Sequence, residues 1–280
     1  MADIFSDLQK LGIGNVGNIF ESEDDSKAKV KEQVKQQTPE DLEAEMIFDK
    51  THTCPLCDKA FTTKTVRAGK AKMVGSDTDL RAKYANIDVN KYDAIVCPAC
   101  GYAALARYFD MTTAPQRKLI KENISAGFKG IPVSNNPIIT YDEAIMNLKL
   151  ALANAVVKKG KNSEKAYICL KMAWVIRGRL ETPSELAKFS KEEVVVFKQE
   201  ELSYIKQAYM GFTSAVQSET FPMCGMDEMT TIYLLADLAR RSGDRAQALK
   251  LLGEVIVSKN AQGRLKEKAR ELKDLIMESK

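Results

Sequence analysis

The chain has 280 residues, of which 45% are hydrophobic and 29% are charged, and this composition is typical of a soluble globular protein with one or two domains. Its formal net charge of +4 is too small to indicate that the whole chain binds nucleic acid, and no apolar run approaches the roughly 18 residues of a membrane span. The first residues lack the basic and apolar regions of a secretory signal, so we expect a cytoplasmic protein whose cysteines stay reduced.

Residues 1–45 are predicted to be an N-terminal extension and charged linker. Residues 12–17 read Gly-Ile-Gly-Asn-Val-Gly, which matches the pattern of a dinucleotide-binding turn. Neither a strand before this motif nor a helix after it is predicted, so a flexible segment is the better interpretation. Residues 21–45 are mainly charged residues and glutamine, a composition that favours a solvated helix or a disordered linker.

Two Cys-Pro-x-Cys pairs are the most informative feature of the sequence. Cys54 and Cys57 form the first pair, and Cys97 and Cys100 form the second. Four thiolates in two short turns are the ligands of a tetrahedral structural Zn²⁺ site, so we predict one zinc ion per chain. The long separation between the pairs requires an insertion that folds back to close the site. A redox-active Cys-x-x-Cys is the main alternative, but two matched pairs without a βαβ pattern disfavour it.

Residues 46–110 are predicted to form a small zinc-ribbon-like β domain with each cysteine pair at the tip of a hairpin. Asp58 and Gly101 occupy the position after each pair, where glycine adopts a positive φ freely and aspartate tolerates one. β-Branched and aromatic residues predict strands over 61–66, 72–74 and 92–96.

Polar residues of this domain allow several interpretations. His52 is predicted to be exposed, with a ligand role or a hydrogen bond to a sulfur as the less favoured alternative. Asp77, Asp79 and Arg81 predict an ion pair that orders the insertion, because a loop that binds a divalent cation needs more oxygen ligands. The basic residues of this domain have two interpretations: they compensate the negative charge of the zinc site, or they contact the phosphates of a nucleic acid. These residues are Lys50, Lys59, Lys64, Arg67, Lys70 and Lys72.

The rest of the chain is predicted to be helical. Residues 111–140 contain a connecting helix, over roughly 115–127, and an extended linker. Residues 141–280 are predicted to be a tetratricopeptide-like antiparallel helical domain, with a plain helical bundle as the alternative. Gly243 marks a turn between two helices, and residues 167–176 are apolar nearly all round, so we expect them to be buried on several sides. The longest helix carries an apolar seam of Leu202, Ile205, Tyr209, Phe212 and Val216. The fold class is α+β, mostly α.

Three stretches carry a resemblance to a known family. They are residues 54–57 with Phe61, residues 76–81 with 96–104, and residues 221–222 with 225–228. Through them, residues 46–280 resemble the bacterial family catalogued as domain of unknown function number 2225. The resemblance implies a metal-binding N-terminal module and a tetratricopeptide-like C-terminal module, and it implies no established reaction.

We therefore expect a non-enzymatic zinc-binding scaffold that binds a partner protein through its helical domain. Tyr204, Met229 and Tyr233 are candidate groove residues, and Met229 and Tyr233 are equally candidates for the core. A nucleic-acid-associated factor that uses the basic ribbon is the first alternative, and a metal-dependent enzyme is the second. The single histidine disfavours a Ser-His or Cys-His nucleophile. Cys169 is expected in the core, and Cys224 is a candidate for an exposed, reactive thiol. No catalytic residue and no membrane association are predicted, and the oligomeric state is left open.

Overall fold

The computed structural model describes residues 38–278 apart from 133 and 135. The glycine motif of residues 12–17 and most of the predicted linker therefore lie outside the described residues. By its contacts the chain divides into two units, residues 1–41 and residues 42–280. The second unit contains both cysteine pairs and all the strands of the described chain.

Antiparallel hairpins form the β part of the second unit. The strand predicted over 61–66 is confirmed, and each cysteine pair lies at the tip of a hairpin, as predicted. The strand predicted over 92–96 begins only at Ala94, because the side chain of Asp88 caps a 3₁₀ turn over Val89–Tyr92. The hairpins are β1 (Ile47–Thr53) with β2 (Ala60–Val66), β3 (Met73–Ser76) with β4 (Ala82–Tyr84), and β5 (Ala94–Val96) with β6 (Ala103–Leu105).

Helices account for most of the described chain, so the predicted class, α+β and mostly α, is confirmed. Capping boxes fix where three of them begin, because the hydroxyls of Thr113, Thr140 and Ser190 each accept a hydrogen bond from the first helical turn. No described helix is long and apolar enough to cross a membrane. The helices are α1 (Pro39–Glu45), α2 (Ala114–Asn123), α3 (Tyr141–Val157), α4 (Asn162–Glu181), α5 (Pro183–Leu186), α6 (Lys191–Ser218), α7 (Glu228–Arg241), α8 (Arg245–Val257) and α9 (Gly263–Glu278).

Helix α4 lies at the centre of the core. It is buried on all sides from Ile168 to Arg179, which confirms the expectation for this apolar stretch. Ala94 of β5 and Leu105 of β6 share one hydrophobic cluster with Leu148 of α3 and Met172 of α4. Strands and helices of the second unit therefore pack on a common core, and the domain boundaries placed around residues 111–140 stay a prediction.

The predicted helical seams agree with the structure except at a few positions. Ile205 and Phe212 of α6 are buried, but Leu202 is exposed, and α6 buries no residue before Ile205. Tyr233, for which a groove and the core are both predicted, is buried in the core. Gly243 has a φ of +92° in the turn between α7 and α8, as predicted.

Candidate metal centre

The tips of two hairpins bring four cysteines together. The sulfur atoms of Cys54, Cys57, Cys97 and Cys100 all lie within 4.8 Å of one another. The Sγ–Sγ distance is 3.6 Å between Cys54 and Cys100 and 3.7 Å between Cys57 and Cys97, so each short distance joins one cysteine of each pair. Disulfide-bonded sulfurs are about 2 Å apart, so these are free thiols. Such a group can hold a metal ion, and that it does so stays a prediction.

The two cysteine pairs adopt the same backbone turn. The N–H of Asp58 donates to the carbonyl of Cys54 at 2.9 Å, and the N–H of Gly101 donates to the carbonyl of Cys97 at 3.0 Å. Asp58 has a φ of +58° and Gly101 a φ of +73°, which confirms the positive φ expected at both positions. This repeated turn points both sulfurs of each pair to the same side, where they meet the other pair.

Hydrogen bonds favour negative charge on one of the clustered sulfurs, that of Cys54. The hydrogen bond between the Cys100 and Cys54 thiols lowers the pKa of Cys54 to about 5 and raises the pKa of Cys100. The N–H of Leu56 also points at Cys54 Sγ, at 3.4 Å. Because Cys54 and Cys97 are fully buried, a negative charge on the cluster needs a neutralising cation in contact with the sulfurs.

Aromatic side chains surround the cysteine cluster. Tyr102 and Phe109 are fully buried beside it, and the Tyr102 hydroxyl donates to the carbonyl of Phe109 at 2.6 Å. His52 is partly buried rather than exposed, and its ring lies 5.9 Å from the rings of both Phe61 and Phe109. Burial lowers the pKa of this imidazole. His52 does not belong to the group of clustered ligand atoms, so it acts here as a packing residue.

Asn154 of α3 connects the second cysteine turn to the helices. Its fully buried side chain donates from Nδ2 to the carbonyl of Gly101 at 3.0 Å and to the carbonyl of Leu150 at 2.9 Å. The Phe128 ring covers Gly101 so closely that a Cβ there would lie 2.6 Å from it. Because Gly101 directly follows Cys100, Asn154 fixes the backbone that carries two of the four sulfurs.

Replacing Asn154 with Leu should speed metal release about tenfold, because the Gly101 carbonyl loses its donor and the second turn loosens. Stopped-flow transfer of the metal to a chromogenic chelator measures this rate. Asn123→Leu is the matched control, since Asn123 makes the same kind of bond to a carbonyl one turn earlier, 2.8 Å from Leu119, but on an exposed surface. Equal rates of metal release in the two variants would show that Asn154 does not stabilise the turn that carries Cys97 and Cys100.

Asp77 and Asp79 belong to a larger buried ion cluster than the sequence predicts. Arg81 contacts Asp77 at 3.4 Å, which confirms the local pair. Asp79, however, is fully buried and pairs with Arg177 of α4 at 2.7 Å. Arg177 also contacts Asp77 at 2.9 Å and Glu201 of α6 at 2.7 Å. We call Asp77, Asp79, Arg177 and Glu201 the ion cluster, and it joins the β3–β4 turn to two helices.

The same turn also contacts α7. Asp237 is fully buried and pairs with Arg240 at 2.7 Å and Arg241 at 2.6 Å. The Thr78 hydroxyl donates to Asp237 at 3.0 Å. A signal for the ion cluster existed in the sequence, because Arg177 directly follows a mainly apolar helix stretch, and a buried charge requires a partner.

The two cysteines outside the cluster are both buried. Cys169 lies in the helical core, as expected. Cys224 is buried too, and its thiol donates to the carbonyl of Ser163 at 3.3 Å. Burial raises the pKa of the Cys224 thiol, so the expectation of an exposed, reactive cysteine is wrong.

Comparison with known proteins gives one match. A family model described as "Uncharacterized protein conserved in bacteria (DUF2225)" matches residues 47–276. No curated protein and no solved structure matches the chain. The matched span includes the four clustered cysteines, the ion cluster and almost all of the helical part, and it agrees with the resemblance drawn from the sequence.

Proposed function

The chain belongs to this DUF2225 family of bacterial proteins, and from that premise we propose that it is a non-enzymatic interaction protein, ordered by one structural zinc ion and binding a partner protein through its helices. The observation that carries the proposal is an exposed apolar face on α6. The four clustered sulfurs are the basis for proposing a metal ion that stabilises the fold. The exposed face of α6 is the basis for proposing a protein partner.

Zinc fits the four sulfurs better than calcium or magnesium does. A regular tetrahedron with zinc–sulfur bonds of about 2.3 Å has sulfur–sulfur edges of about 3.8 Å, and the short distances here are 3.6 and 3.7 Å. Thiolates are soft ligands that disfavour calcium and magnesium. Four of them fill the tetrahedron and leave no position for water or a substrate, which supports a structural rather than a catalytic ion.

The exposed face of α6 carries four apolar residues, Val195, Val196, Leu202 and Met210, with the polar residues Gln199 and Lys206 between them. Their exposed fractions are 52% for Val195, 59% for Val196, 37% for Leu202 and 64% for Met210. At 100° per residue these side chains lie within about 120° of one another, on the side of the helix opposite the buried Ala208 and Ala215. Apolar side chains grouped on one exposed helix face are typical of protein interaction sites.

The start of α6 is held in position although it buries no residue. The rings of Phe189 and Phe197 are 4.8 Å apart, and the guanidinium of Arg179 lies 4.4 Å from the first ring and 5.1 Å from the second. A helix surface that is already ordered loses little entropy on binding. The partner that suits it is an amphipathic helix whose apolar face packs along α6.

The last helices support a tetratricopeptide-like arrangement for this domain. Ala236 of α7, Ala248 of α8 and Ala269 of α9 are all fully buried in one cluster, where small residues allow close approach of the helices. The connection through Gly243 between α7 and α8 is short. Stacked helix pairs of this kind form partner-binding surfaces in repeat proteins.

Replacing Val195 and Leu202 together with Asp should weaken partner binding about a hundredfold, because two carboxylates would be buried without counter-ions at the contact. Affinity capture of the tagged full-length protein with mass spectrometry identifies the partner, and calorimetric titration of the purified partner measures the affinity.

The control is the double variant Lys64→Glu with Lys70→Glu. It reverses two charges in and after β2, away from the proposed binding face, and should leave the affinity for the partner unchanged. Nucleic-acid binding predicts the opposite pattern: titration with RNA and DNA oligonucleotides would then show salt-sensitive binding that the lysine variant loses and the α6 variant keeps. That pattern would contradict the proposed function.

A further inference from the structure

A cavity of about 520 Å³ is lined by residues to which the proposed function assigns no role. Three segments line it: the chain from Arg107 to Gln116, the turn between α3 and α4, and the loop between α6 and α7. Its volume falls within the roughly 300–1,000 Å³ that small-molecule sites occupy. It is therefore large enough for an organic ligand and too large for a bare inorganic ion.

The cavity carries two cations that make no ion pair within the described part of the chain. Lys158 pairs with Glu164 at 2.7 Å, so these two lining residues cancel each other. Arg107 and Lys161 also line the cavity, and neither makes an ion pair with any carboxylate of residues 38–278 that the structure describes. The lining has a net charge of +1 once Glu219 is counted.

Glu219 is bound by the start of α4 and makes no ion pair with these cations in the described part of the chain. Its carboxylate accepts hydrogen bonds from the backbone N–H of Ser163 at 3.0 Å and from the Ser163 hydroxyl at 2.5 Å. The first turn of α4 therefore already uses both carboxylate oxygens, where a negative charge is favoured by the helix dipole. Arg107 and Lys161 therefore line the cavity without an ion-pair partner among the residues that the structure describes.

The guanidinium of Arg107 is positioned before any ligand arrives. It donates to the carbonyl of Cys224 and lies 5.3 Å over the ring of Tyr167. Cys224 has a φ of +49°, a conformation that is uncommon for a residue with a side chain. A Cβ on Gly225 would lie 3.2 Å from Arg107 Nη1, so glycine makes room for the guanidinium. An ordered guanidinium with unused donors suits a carboxylate or a phosphate.

We propose that this cavity binds a small organic oxyanion, whose phosphate or carboxylate group lies between Arg107 and Lys161. The organic part packs against the apolar lining, which includes Met111, Pro222 and Met223. Binding here does not require the α6 face, so it is independent of the proposed partner.

Ligand-observed NMR titration of the full-length protein tests this with three probes of similar size: phenyl phosphate, benzoate and benzyl alcohol. We expect at least one of the two anions to bind and the neutral alcohol to bind much more weakly, and which anion binds tells phosphate from carboxylate. Lys161→Met and Arg107→Met should each reduce the affinity about tenfold, the effect of losing a hydrogen bond to a charged group. Lys165→Met, which removes a lysine of α4 that does not line the cavity, should leave it unchanged.

Lys161 is exposed, so its replacement keeps the test decisive even if Arg107→Met disturbs the Cys224 loop. Binding of neither anion at millimolar concentration would overturn the proposal. So would anion binding that is equally strong in wild-type protein and Lys161→Met.

Discussion

Replacing Arg177 with Met should lower the free energy of unfolding by about 3–5 kcal/mol, which is the usual cost of removing one partner from a buried ion pair. Arg177 is the shared partner of Asp77, Asp79 and Glu201. Asp79 is fully buried, so its carboxylate cannot regain hydration once the guanidinium is gone. Chemical denaturation followed by circular dichroism measures the loss.

The matched control is Lys118→Met. Lys118 also pairs with a carboxylate, 3.9 Å from Glu122, but both side chains are mostly exposed. Its replacement should change the free energy of unfolding by less than about 0.5 kcal/mol. An Arg177→Met variant as stable as this control would show that the ion cluster does not hold the β3–β4 turn on the helices.

Acid should remove the difference between Arg177→Met and the wild-type protein. Burial by itself raises the pKa of Asp79, but the hydrogen bonds and charge of Arg177 outweigh it, so the pKa lies below its usual value. The pKa of Asp77 is also lowered, because Lys83 and Arg177 outweigh burial there. Carboxylates of this kind stabilise the fold above about pH 4, and the stabilisation is lost as pH falls through their folded-state pKa values. The loss caused by Arg177→Met should therefore shrink below about pH 4.

Replacing Cys97 with Ser should release the metal and destabilise the whole second unit. A structural zinc site contributes about 10–16 kcal/mol of binding free energy in small zinc-finger peptides, and metal binding is coupled to folding. β5 and β6, which flank Cys97, pack on α3 and α4 through Ala94 and Leu105. We therefore expect a lower melting temperature for helices as well as hairpins, with hydrogen exchange fastest at the two cysteine turns.

Cys224→Ser provides the matched control for that experiment. It makes the same replacement at a buried cysteine outside the cluster, where a hydroxyl can still donate to Ser163. Metal content and melting temperature should stay close to wild type. Retention of metal by Cys97→Ser, or equal destabilisation in both variants, would contradict the assignment of Cys97 as a ligand.

Local chemistry explains which features the sequence predicts. The cysteine turns are predictable because Pro, Asp58 and Gly101 determine the backbone within a few residues of the sulfurs. The burial of α4 is predictable because residues 167–176 are apolar nearly all round, with Lys171 as the exception. These inferences depend only on neighbours in the chain.

Contacts between residues far apart in the chain explain which features could not be predicted from the sequence. Asp79 meets Arg177 across 98 positions of the chain, and no local pattern specifies that pair. Val195 and Leu202 follow a helical spacing that is typical of a core seam, yet the fold leaves both exposed. Cys224 is buried because residues 163 and 224 meet in the tertiary structure. In each case the partner residue, rather than the local sequence, decides the outcome.

X-ray absorption spectroscopy at the zinc edge, combined with metal analysis of the purified full-length protein, tests the central claim most directly. The account predicts one zinc ion per chain with four sulfur neighbours at about 2.3 Å and no nitrogen or oxygen neighbour. A folded protein that contains no zinc, or a zinc ion with an oxygen ligand in place of a sulfur, would contradict it.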